Sequence, residues 1–284
     1  MDRPRSVGIL GAGRSRNGLG PYLARDCERH GLRVQAIAGR DAVRTAAVAA
    51  DLGRSLGHAV AVCDSVHDLL QTGIDALVIA SPMGTHQAAL RAALAARMPV
   101  FCEKPLVGPS EGPAGAELLD GFSAREVLLV EHCQWPFVLP AFDALWPGVR
   151  SAAPRVIAMG LSPAETGPAM VLDSLSHVLS LAQAVAGEDV PLAFVECALS
   201  APLAAHTEHA ILDVRLRRGG ADLVLRLELT HCPRQPRPAW LAIDGHRIDR
   251  QIGAGYAISF SAGNRCVPAA DPTPLCVGAF AHLL

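Results

Sequence analysis

Short apolar runs alternate with alanine-rich helical patterns through the first 131 residues of the chain. Most of these runs are continuous, as expected for strands that are buried on both faces of a parallel sheet. The pattern predicts six strands, at Ser6–Leu10, Arg33–Ala38, His58–Cys63, Ala76–Ala80, Val100–Cys102 and Val127–Glu131. It predicts helices between them, at Leu19–His30, Ala42–Gly53, Val66–Leu70 and Thr85–Ala96. Strands that alternate with helices in this way indicate an α/β, doubly wound Rossmann domain over residues 1–131.

The pattern changes after residue 131. The sequence predicts two helices, at Leu139–Trp146 and Met170–Ala186. Five segments then alternate apolar and polar residues, as strands with one buried face do: Ala193–Ser200, His209–Arg217, Asp222–Thr230, Ala239–Ile243 and His246–Ile252. Turns at Gly219-Gly220 and Asp244-Gly245 are typical of hairpins. We therefore expect residues 132–284 to form an α+β domain, with a mostly antiparallel sheet and helices on one side.

Composition agrees with two packed domains. Of the 284 residues, 50% are hydrophobic and 18% are charged, which disfavours a disordered chain. The formal net charge of −2, without blocks of like charge, gives no reason to expect nucleic acid or an anionic membrane surface as a partner.

The same composition favours the cytoplasm. Apolar runs such as Ile74–Ala80 are far shorter than the roughly 20 residues that span a bilayer. The N-terminal apolar run breaks at Gly11, which disfavours a signal peptide. The eight cysteines are scattered and none is paired at metal-ligand or redox spacing, so we expect reduced, buried thiols and no bound metal.

Lysine is almost absent from the chain. Of its 25 basic residues, 24 are arginines and one is Lys104. Arginine replaces lysine wherever only a surface charge is needed, but it does not replace a readily deprotonated amine. The retention of Lys104 by chance is the alternative, and the surrounding sequence disfavours it.

A glycine-rich turn follows the first predicted strand. Gly11 would form the tight turn and Gly13 would let the backbone approach a pyrophosphate at the helix N-terminus. The third glycine comes late, at Gly18 or Gly20, which departs from the usual spacing and indicates a longer loop. That loop adds further candidate phosphate contacts: Arg14, Ser15, Arg16 and Asn17.

The end of the second strand discriminates between dinucleotides. Enzymes that use NAD usually carry an acidic residue there, which binds the ribose 2'-hydroxyl. This chain has Gly39-Arg40, a small residue followed by a guanidinium that can bind a 2'-phosphate. We therefore favour NADP(H) over NAD(H). The alternative is a solvated Arg40 with Asp41 binding the ribose.

Three segments resemble the Gfo/Idh/MocA oxidoreductase family, which includes glucose–fructose oxidoreductase and inositol dehydrogenase. They are Val78–His86, Val100–Leu106 with its Glu-Lys-Pro triplet, and Asp173–His177. The resemblance implies a Rossmann domain followed by an open-faced antiparallel sheet. It also implies hydride transfer between a nicotinamide and a carbonyl or alcohol carbon, often on a sugar or cyclitol.

The resemblance also implies roles for individual residues. Lys104 would lie beside the nicotinamide and donate or relay a proton, with Glu103 orienting it and Pro105, often cis in this family, holding the turn. The same resemblance places Ser81, Pro82 and His86 among the cofactor contacts.

Asp173 and His177 are four residues apart on a predicted helix, so they share one face. Histidine exchanges protons near neutral pH, and an aspartate can fix its tautomer or bind a substrate hydroxyl. The alternative is an ordinary amphipathic helix with a polar stripe.

The chain departs from the family pattern near the substrate. Leu175 replaces a usual glycine, and His132-Cys133 replaces a usual asparagine and tyrosine. We predict that His132, Gln134 and Trp135 shape the substrate pocket, although Trp135 would serve equally well in a core.

Two other functions fit the same motifs as a ketone or alcohol reductase. One is a cyclic imine reductase of the same family, and the other is a non-catalytic dinucleotide-binding regulator or accessory subunit. Retention of Lys104 argues against the regulator.

The resemblance further predicts a homo-oligomer, a dimer or tetramer that pairs through the C-terminal sheet. The composition is typical of a GC-rich bacterium, in which such enzymes often serve secondary metabolism.

Overall fold

A computed structural model describes residues 3–13, 18–187 and 189–284. The described chain divides into two compact units. The first contains residues 1–132 together with 273–284, and the second contains residues 133–272. The sequence placed the boundary after residue 131 and assigned the whole remainder to the second domain. The final helix instead belongs to the first unit, because its apolar residues pack there.

The first unit is a parallel sheet with helices between its strands. The strands are β1 Ser6–Leu10, β2 Arg33–Ala38, β3 Ala61–Cys63, β4 Ala76–Ile79, β5 Val100–Cys102 and β6 Leu129–Glu131. The helices are α1 Gly20–Arg29, α2 Ala42–Leu56, α3 Val66–Leu70, α4 His86–Ala95 and α5 Gly112–Ala124. The strand order is β3-β2-β1-β4-β5-β6, which is the order of a Rossmann fold.

Local chemistry explains where these elements begin and end. The strand β4 is buried at every position, as its continuous apolar run predicts. The helix α2 starts where the Asp41 carboxylate accepts a hydrogen bond from the Arg44 N–H, at 2.9 Å. It ends at Gly57, whose left-handed conformation a side chain would strain. The strand order reverses between β1 and β4, so their carboxyl ends open a crevice where ligands of this fold bind.

The second unit is a mostly antiparallel sheet with helices on one face. Its helices are α6 Leu139–Leu145 and α7 Pro168–Ala186. Its strands are β7 Val156–Leu161, β8 Leu192–Leu199, β9 His209–Arg218, β10 Ala221–Thr230, β11 Trp240–Ile243, β12 His246–Ile252, β13 Ile258–Ala262 and β14 Arg265–Ala269. The sheet order is β14-β13-β12-β11-β7-β10-β9-β8. The central strand β7 pairs in parallel with β10 and antiparallel with β11.

Alternation along the strands builds the core of the second unit. In β9 and β10 the apolar positions are buried and the intervening charged positions face outward, where Arg226 and Asp213 pair at 2.8 Å. The buried face packs with α6 and α7, including Phe142, Val178 and Leu181. This is the α+β sheet that the alternating segments predict.

Within the described part of the chain, one helix, α7, has the length and apolar composition of a membrane span. Its apolar residues Met170, Val178, Leu181 and Ala182 are buried in the core of the second unit. A buried core helix and a membrane span have the same composition, so this observation is weak grounds for a span.

The last helix is α8 Pro272–Leu283, and all of it after Pro272 belongs to the first unit. The Phe280 ring lies 5.4 Å from the ring of Phe101 on β5. A Cβ added at Gly278 would lie 2.8 Å from the imidazole of His30, so this helix packs closely against that ring. The C-terminal residues of the chain therefore complete the core of the dinucleotide-binding unit.

Candidate functional site

The turn after β1 depends on glycine. Gly11 has a φ of +87°, and its N–H donates to the Ala38 carbonyl at 2.9 Å. A Cβ at Gly11 would lie 2.6 Å from the backbone of Ser81, the residue that follows β4. Gly11 therefore allows the loops after β1 and β4 to approach at the crevice.

The third glycine of the turn is identified by packing. A Cβ at Gly20 would lie 2.5 Å from the backbone of Ala12, so the first residue of α1 packs directly against the turn. This is the close helix–strand packing for which a Rossmann turn uses its third glycine. Gly18 is partly buried two residues earlier. The predicted contacts Arg14, Ser15, Arg16 and Asn17 lie outside the described residues.

Gly13 and the start of α1 leave room for a ligand. Among the residues that the structure describes, a Cβ at Gly13 would meet nothing nearer than the Val48 side chain, at 3.9 Å. Among the described residues no side chain caps α1 at Leu19, and its first turn carries no acidic residue. An uncapped helix N-terminus beside open space fits the pyrophosphate of a dinucleotide.

Arg40 and Asp41, the basic and the acidic candidates for contact with the ribose side of a dinucleotide, follow β2. Asp41 caps α2 with its carboxylate, as described above. Arg40 is exposed, and no ion pair or hydrogen bond to another described residue engages its guanidinium. A Cβ at Gly39 would lie 2.5 Å from the Thr45 hydroxyl, which itself donates to the Asp41 carbonyl. Arg40 is thus available to an anion, and Thr45 is a neighbour that the sequence did not reveal.

The loop after β4 is tied to the loop after β5 by His86. Its Nε2 lies 2.7 Å from the Ser81 carbonyl oxygen, and its Nδ1 lies 2.9 Å from the Pro105 carbonyl oxygen. The ring is 1% exposed. This differs from the predicted direct contact with the cofactor, because both nitrogens are already engaged by backbone oxygens. The Ser81 hydroxyl bonds Thr85 at 2.7 Å, whereas the neighbouring Pro82 is exposed.

Lys104 follows β5 and is partly buried. The Lys104–Pro105 peptide bond is cis, as the family resemblance implied. Beside it, the Glu103 carboxylate lies 2.5 Å from Nδ1 of His132, the residue after β6. His132 is 1% exposed, and its ring also contacts Phe101 at 5.2 Å. The predicted pocket residue His132 therefore holds Glu103 instead of presenting its ring at a surface.

The remaining predicted residues belong to the second unit. Asp173 and His177 are partly buried on α7, one helical turn apart on the same face. Gln134 is partly buried, whereas Trp135 is 4% exposed and packs edge-on against Phe260 at 6.4 Å. Trp135 thus contributes to the core of this unit, which was the alternative to a pocket role.

Arg250 and Arg237 are not among the site residues that the sequence predicts. The guanidinium of Arg250 lies 5.8 Å from the Trp135 ring, and its Nη2 donates to the Arg237 carbonyl at 2.8 Å. A signal was present, because Arg250 shares a strand face with Ile248, which is fully buried. A charged residue in the apolar register of a strand marks a special environment.

Comparisons with known proteins agree with this arrangement. Residues 5–120 match the family described as "Oxidoreductase family, NAD-binding Rossmann fold". An inositol 2-dehydrogenase from Streptomyces avermitilis is 27% identical over 225 residues, which cover 75% of this chain and 61% of that protein. Inositol 2-dehydrogenase 1 from Saccharopolyspora erythraea is 38% identical over 100 residues, 35% of this chain and 27% of that protein. The matches thus span less than two thirds of either relative's length.

Solved structures match the fold over nearly the whole chain. UDP-N-acetylglucosamine 3-dehydrogenase GnnA from Acidithiobacillus ferrooxidans has a TM-score of 0.69 at 21% identity, covering 98% of this chain and 88% of that one. GenD2 from gentamicin A biosynthesis, solved in complex with NAD, has a TM-score of 0.67 at 14% identity, covering 99% and 92%. Residues 5–120 thus resemble a family of NAD-binding oxidoreductases in sequence, and the Rossmann strand order and the antiparallel second sheet are the fold of these solved structures.

Proposed function

We propose that the protein is an NADP(H)-dependent oxidoreductase that transfers hydride between the nicotinamide and a small polar ketone or alcohol. The observation that carries the proposal is the convergence of candidate residues at one edge of the first sheet. The carboxyl ends of its parallel strands place there Gly11, Gly13, Arg40, Ser81 and Lys104. In this fold, ligands bind at that edge.

The preference for NADP(H) rests on the end of β2. Asp41 is engaged as a helix cap, and Arg40 is an exposed cation with no partner among the described residues. A guanidinium binds phosphate oxygens through two parallel hydrogen bonds. Arg40 would therefore hold the 2'-phosphate, while the open space at Gly13 and the uncapped start of α1 would hold the pyrophosphate.

The proton chemistry is assigned to Lys104 with His177. When bound, the nicotinamide supplies or accepts the hydride. Lys104 would hold a proton at its Nζ for the substrate oxygen, since an amine that gains and loses a proton is what arginine does not provide. His177 would exchange that proton, and Asp173, one helical turn away, would orient the imidazole or bind a substrate hydroxyl.

Two buried histidines would position this machinery without touching the substrate. His86 joins the Ser81 and Pro105 carbonyls, so it couples the loop that would contact the cofactor to the loop of Lys104. His132 fixes the Glu103 carboxylate beside Lys104. Interactions of this kind hold catalytic groups in their working geometry.

The relatives support a substrate class. The related proteins named above include dehydrogenases of inositol and of a UDP-linked amino sugar. By extension, the substrates of this chain are small, polar cyclic alcohols and the corresponding ketones.

The experiment compares the whole protein with Lys104→Arg and His177→Ala. Nicotinamide fluorescence is followed as NADPH and then NADH are added, and a panel of polyols, ketones and cyclic imines is screened for turnover. We expect tighter binding of NADPH and at least about 100-fold slower turnover in both variants, with NADPH binding retained. Lys104→Arg is a matched test, because it keeps the positive charge and loses the exchangeable amine.

Absence of binding by either nucleotide would refute the oxidoreductase assignment and favour a regulator or accessory subunit. Turnover of imines alone would assign the reductase of cyclic imines. Full activity in Lys104→Arg would remove Lys104 from the mechanism.

A further inference from the structure

The strand β12 carries a charged side chain on the face that packs against the helices. Its residues alternate, so Arg247 and Asp249 face outward, where they pair at 2.6 Å. Ile248 faces the core and is fully buried. Arg250 follows two residues later and pairs in register with Phe260, another buried core residue. The Arg250 guanidinium therefore lies on the inner face, beside Trp135.

The backbone of Arg237 is restricted by its neighbours and bonds to Arg250. Pro236 and Pro238 flank Arg237 and restrict its backbone, since proline fixes its own φ and limits the residue before it. The Arg237 carbonyl accepts from Nη2 of Arg250 at 2.8 Å, and the Arg250 N–H donates to the Ala239 carbonyl at 2.9 Å. Two guanidinium side chains are thus anchored to the same short stretch of backbone.

No described carboxylate neutralises this pair. In the described part of the chain, neither Arg237 nor Arg250 forms an ion pair, and the Nε of each is buried without a hydrogen-bond partner. Burial lowers the pKa of the Arg250 guanidinium, Tyr256 opposes that change, and the charge of Arg237 lowers the pKa further. Partly buried cations that repel each other and lack a counter-ion are costly for a folded protein.

Other arginines of the same sheet are neutralised. Arg215, Arg217 and Arg226 on the outer face each pair with a carboxylate, at 3.1, 3.4 and 2.8 Å. Among the residues described, acidic partners therefore accompany the exposed arginines of the sheet, and none accompanies Arg237 or Arg250. A guanidinium with unsatisfied donors binds oxyanions best, because its planar fork matches carboxylate and phosphate oxygens.

We propose that Arg237 and Arg250, beside Trp135, bind an oxyanion carried by the substrate, either a carboxylate or a phosphoryl group. The inference rests on the proposed oxidoreductase function and narrows its substrate class. The substrate is then an anionic cyclic alcohol or ketone. A neutral polyol alone would leave the two guanidinium groups unsatisfied.

The test measures binding of three probes to the whole protein at constant ionic strength. D-glucuronate carries a carboxylate, inorganic phosphate supplies the phosphoryl oxyanion, and D-glucose is the neutral comparison. Binding is followed by tryptophan fluorescence and calorimetry, with and without NADPH, in the wild type and four variants: Arg250→Gln, Arg250→Lys, Arg237→Gln and Arg247→Gln. Arg247→Gln is the matched control, since it removes an arginine of the same strand from the opposite face.

We expect one anion to bind at least tenfold more tightly than D-glucose. Arg250→Gln and Arg237→Gln should each weaken that binding about tenfold or more, Arg250→Lys should weaken it less, and Arg247→Gln should change it less than twofold. The preferred probe distinguishes a carboxylate from a phosphoryl group. If Arg250→Gln does not fold, Arg237→Gln and Arg250→Lys decide the question.

Two results would overturn the proposal: no anion binds more tightly than D-glucose, or the inner-face variants bind anions as the wild type does. The NADPH titration separates this outcome from a failure of the proposed function. Anion binding without NADPH binding would refute the oxidoreductase alone. NADPH binding without a preference for anions would refute the oxyanion site alone.

Discussion

Glu103 and His132 bind each other directly beyond the ends of adjacent strands, with Oε1 of the glutamate 2.5 Å from Nδ1 of the histidine. The His132 N–H also donates to the Cys102 carbonyl at 2.7 Å, which extends the β5–β6 pairing to this point. The imidazole is thus fixed by its backbone, by Glu103 and by the ring of Phe101. Glu103 is in turn fixed one residue before Lys104.

We predict that Glu103→Ala lowers the free energy of unfolding by roughly 1–3 kcal/mol, because it leaves a buried imidazole N–H without an acceptor. Glu103→Gln keeps an acceptor oxygen and should cost less. Urea denaturation measures both. Glu117→Ala is the control, because Glu117 is exposed and only 3.6 Å from an exposed Arg91, and exposed ion pairs contribute little. Equal losses in Glu103→Ala and Glu117→Ala would contradict the prediction.

Arg40→Ala should weaken NADPH binding roughly 10- to 100-fold and leave NADH binding unchanged, since only NADPH carries the 2'-phosphate. Titration followed by nicotinamide fluorescence measures both constants. Arg54→Ala, which removes an exposed arginine paired with Asp51 on α2, should change neither. A similar loss for both nucleotides in Arg40→Ala would show that Arg40 does not discriminate between them.

Gly11→Ala and Gly13→Ala should separate folding from cofactor binding. At Gly11 the positive φ and the contact with Ser81 predict a loss of stability of about 2 kcal/mol or more. At Gly13 a methyl group has room, so stability should change by less than about 0.5 kcal/mol while NADPH binding weakens at least tenfold. Thermal melting and NADPH titration of both variants measure this. Unchanged NADPH binding by Gly13→Ala would place the pyrophosphate elsewhere.

Asp75 should make stability depend on acidic pH. Burial opposes ionisation of its carboxylate, but hydrogen bonds from the Ser6 N–H and hydroxyl and from Arg3 outweigh burial, so the pKa lies below its ordinary value of 3.8. A carboxylate with a lowered pKa stabilises the fold above its unfolded pKa, and this contribution is lost as the pH falls through the folded pKa.

Asp75→Asn should therefore be roughly 1–2 kcal/mol less stable than the wild type at neutral pH. The difference should shrink as the pH falls below about 4, which urea unfolding at several pH values measures. Asp64→Asn, a change at an exposed carboxylate of the same unit, is the control. A difference that grows in acid would reverse the sign and reject the assignment.

The edge strand β8 should take part in self-association. It carries three exposed apolar side chains, with Phe194 65% exposed and Val195 and Leu199 near 40%. Apolar patches on an open edge strand mark interfaces. Light scattering should give a mass well above the 29.7 kDa of one chain, and Phe194→Glu should lower it. Leu119→Glu, at an exposed position of α5, should leave the mass unchanged. A monomeric wild type would contradict the prediction.

The local pattern predicts most of the first sheet. The bounds of β1, β2 and β5 are those that the apolar runs predict, because a strand buried on both faces is apolar throughout and ends where polar or turn residues begin. The local pattern does not predict the strands β7, β13 and β14 or the helix α5. In β7, Gly160 stands where the indole of Trp240 crosses the strand, leaving no room for a Cβ. Such a contact between distant segments is absent from any local pattern.

The site was predictable in part for the same reason. Motifs bring Gly11, Gly39 and Lys104 to the carboxyl edge of the sheet, because strand ends in a parallel sheet share that edge. The roles of His86 and His132 depend on which distant carbonyl or carboxylate each ring meets, and residue type alone does not specify that partner. The position of Arg250 on the inner face was not predicted, because it depends on the pairing with Phe260.

The packing of α8 has a consequence for the order of biosynthesis. Residues 133–272 are complete as a unit before residues 273–284 are translated, whereas the dinucleotide-binding unit needs both ends of the described chain. A nascent chain that has not yet released Phe280 from the ribosome lacks the ring that covers Phe101. The unit whose synthesis begins first is therefore the later of the two to acquire its full core.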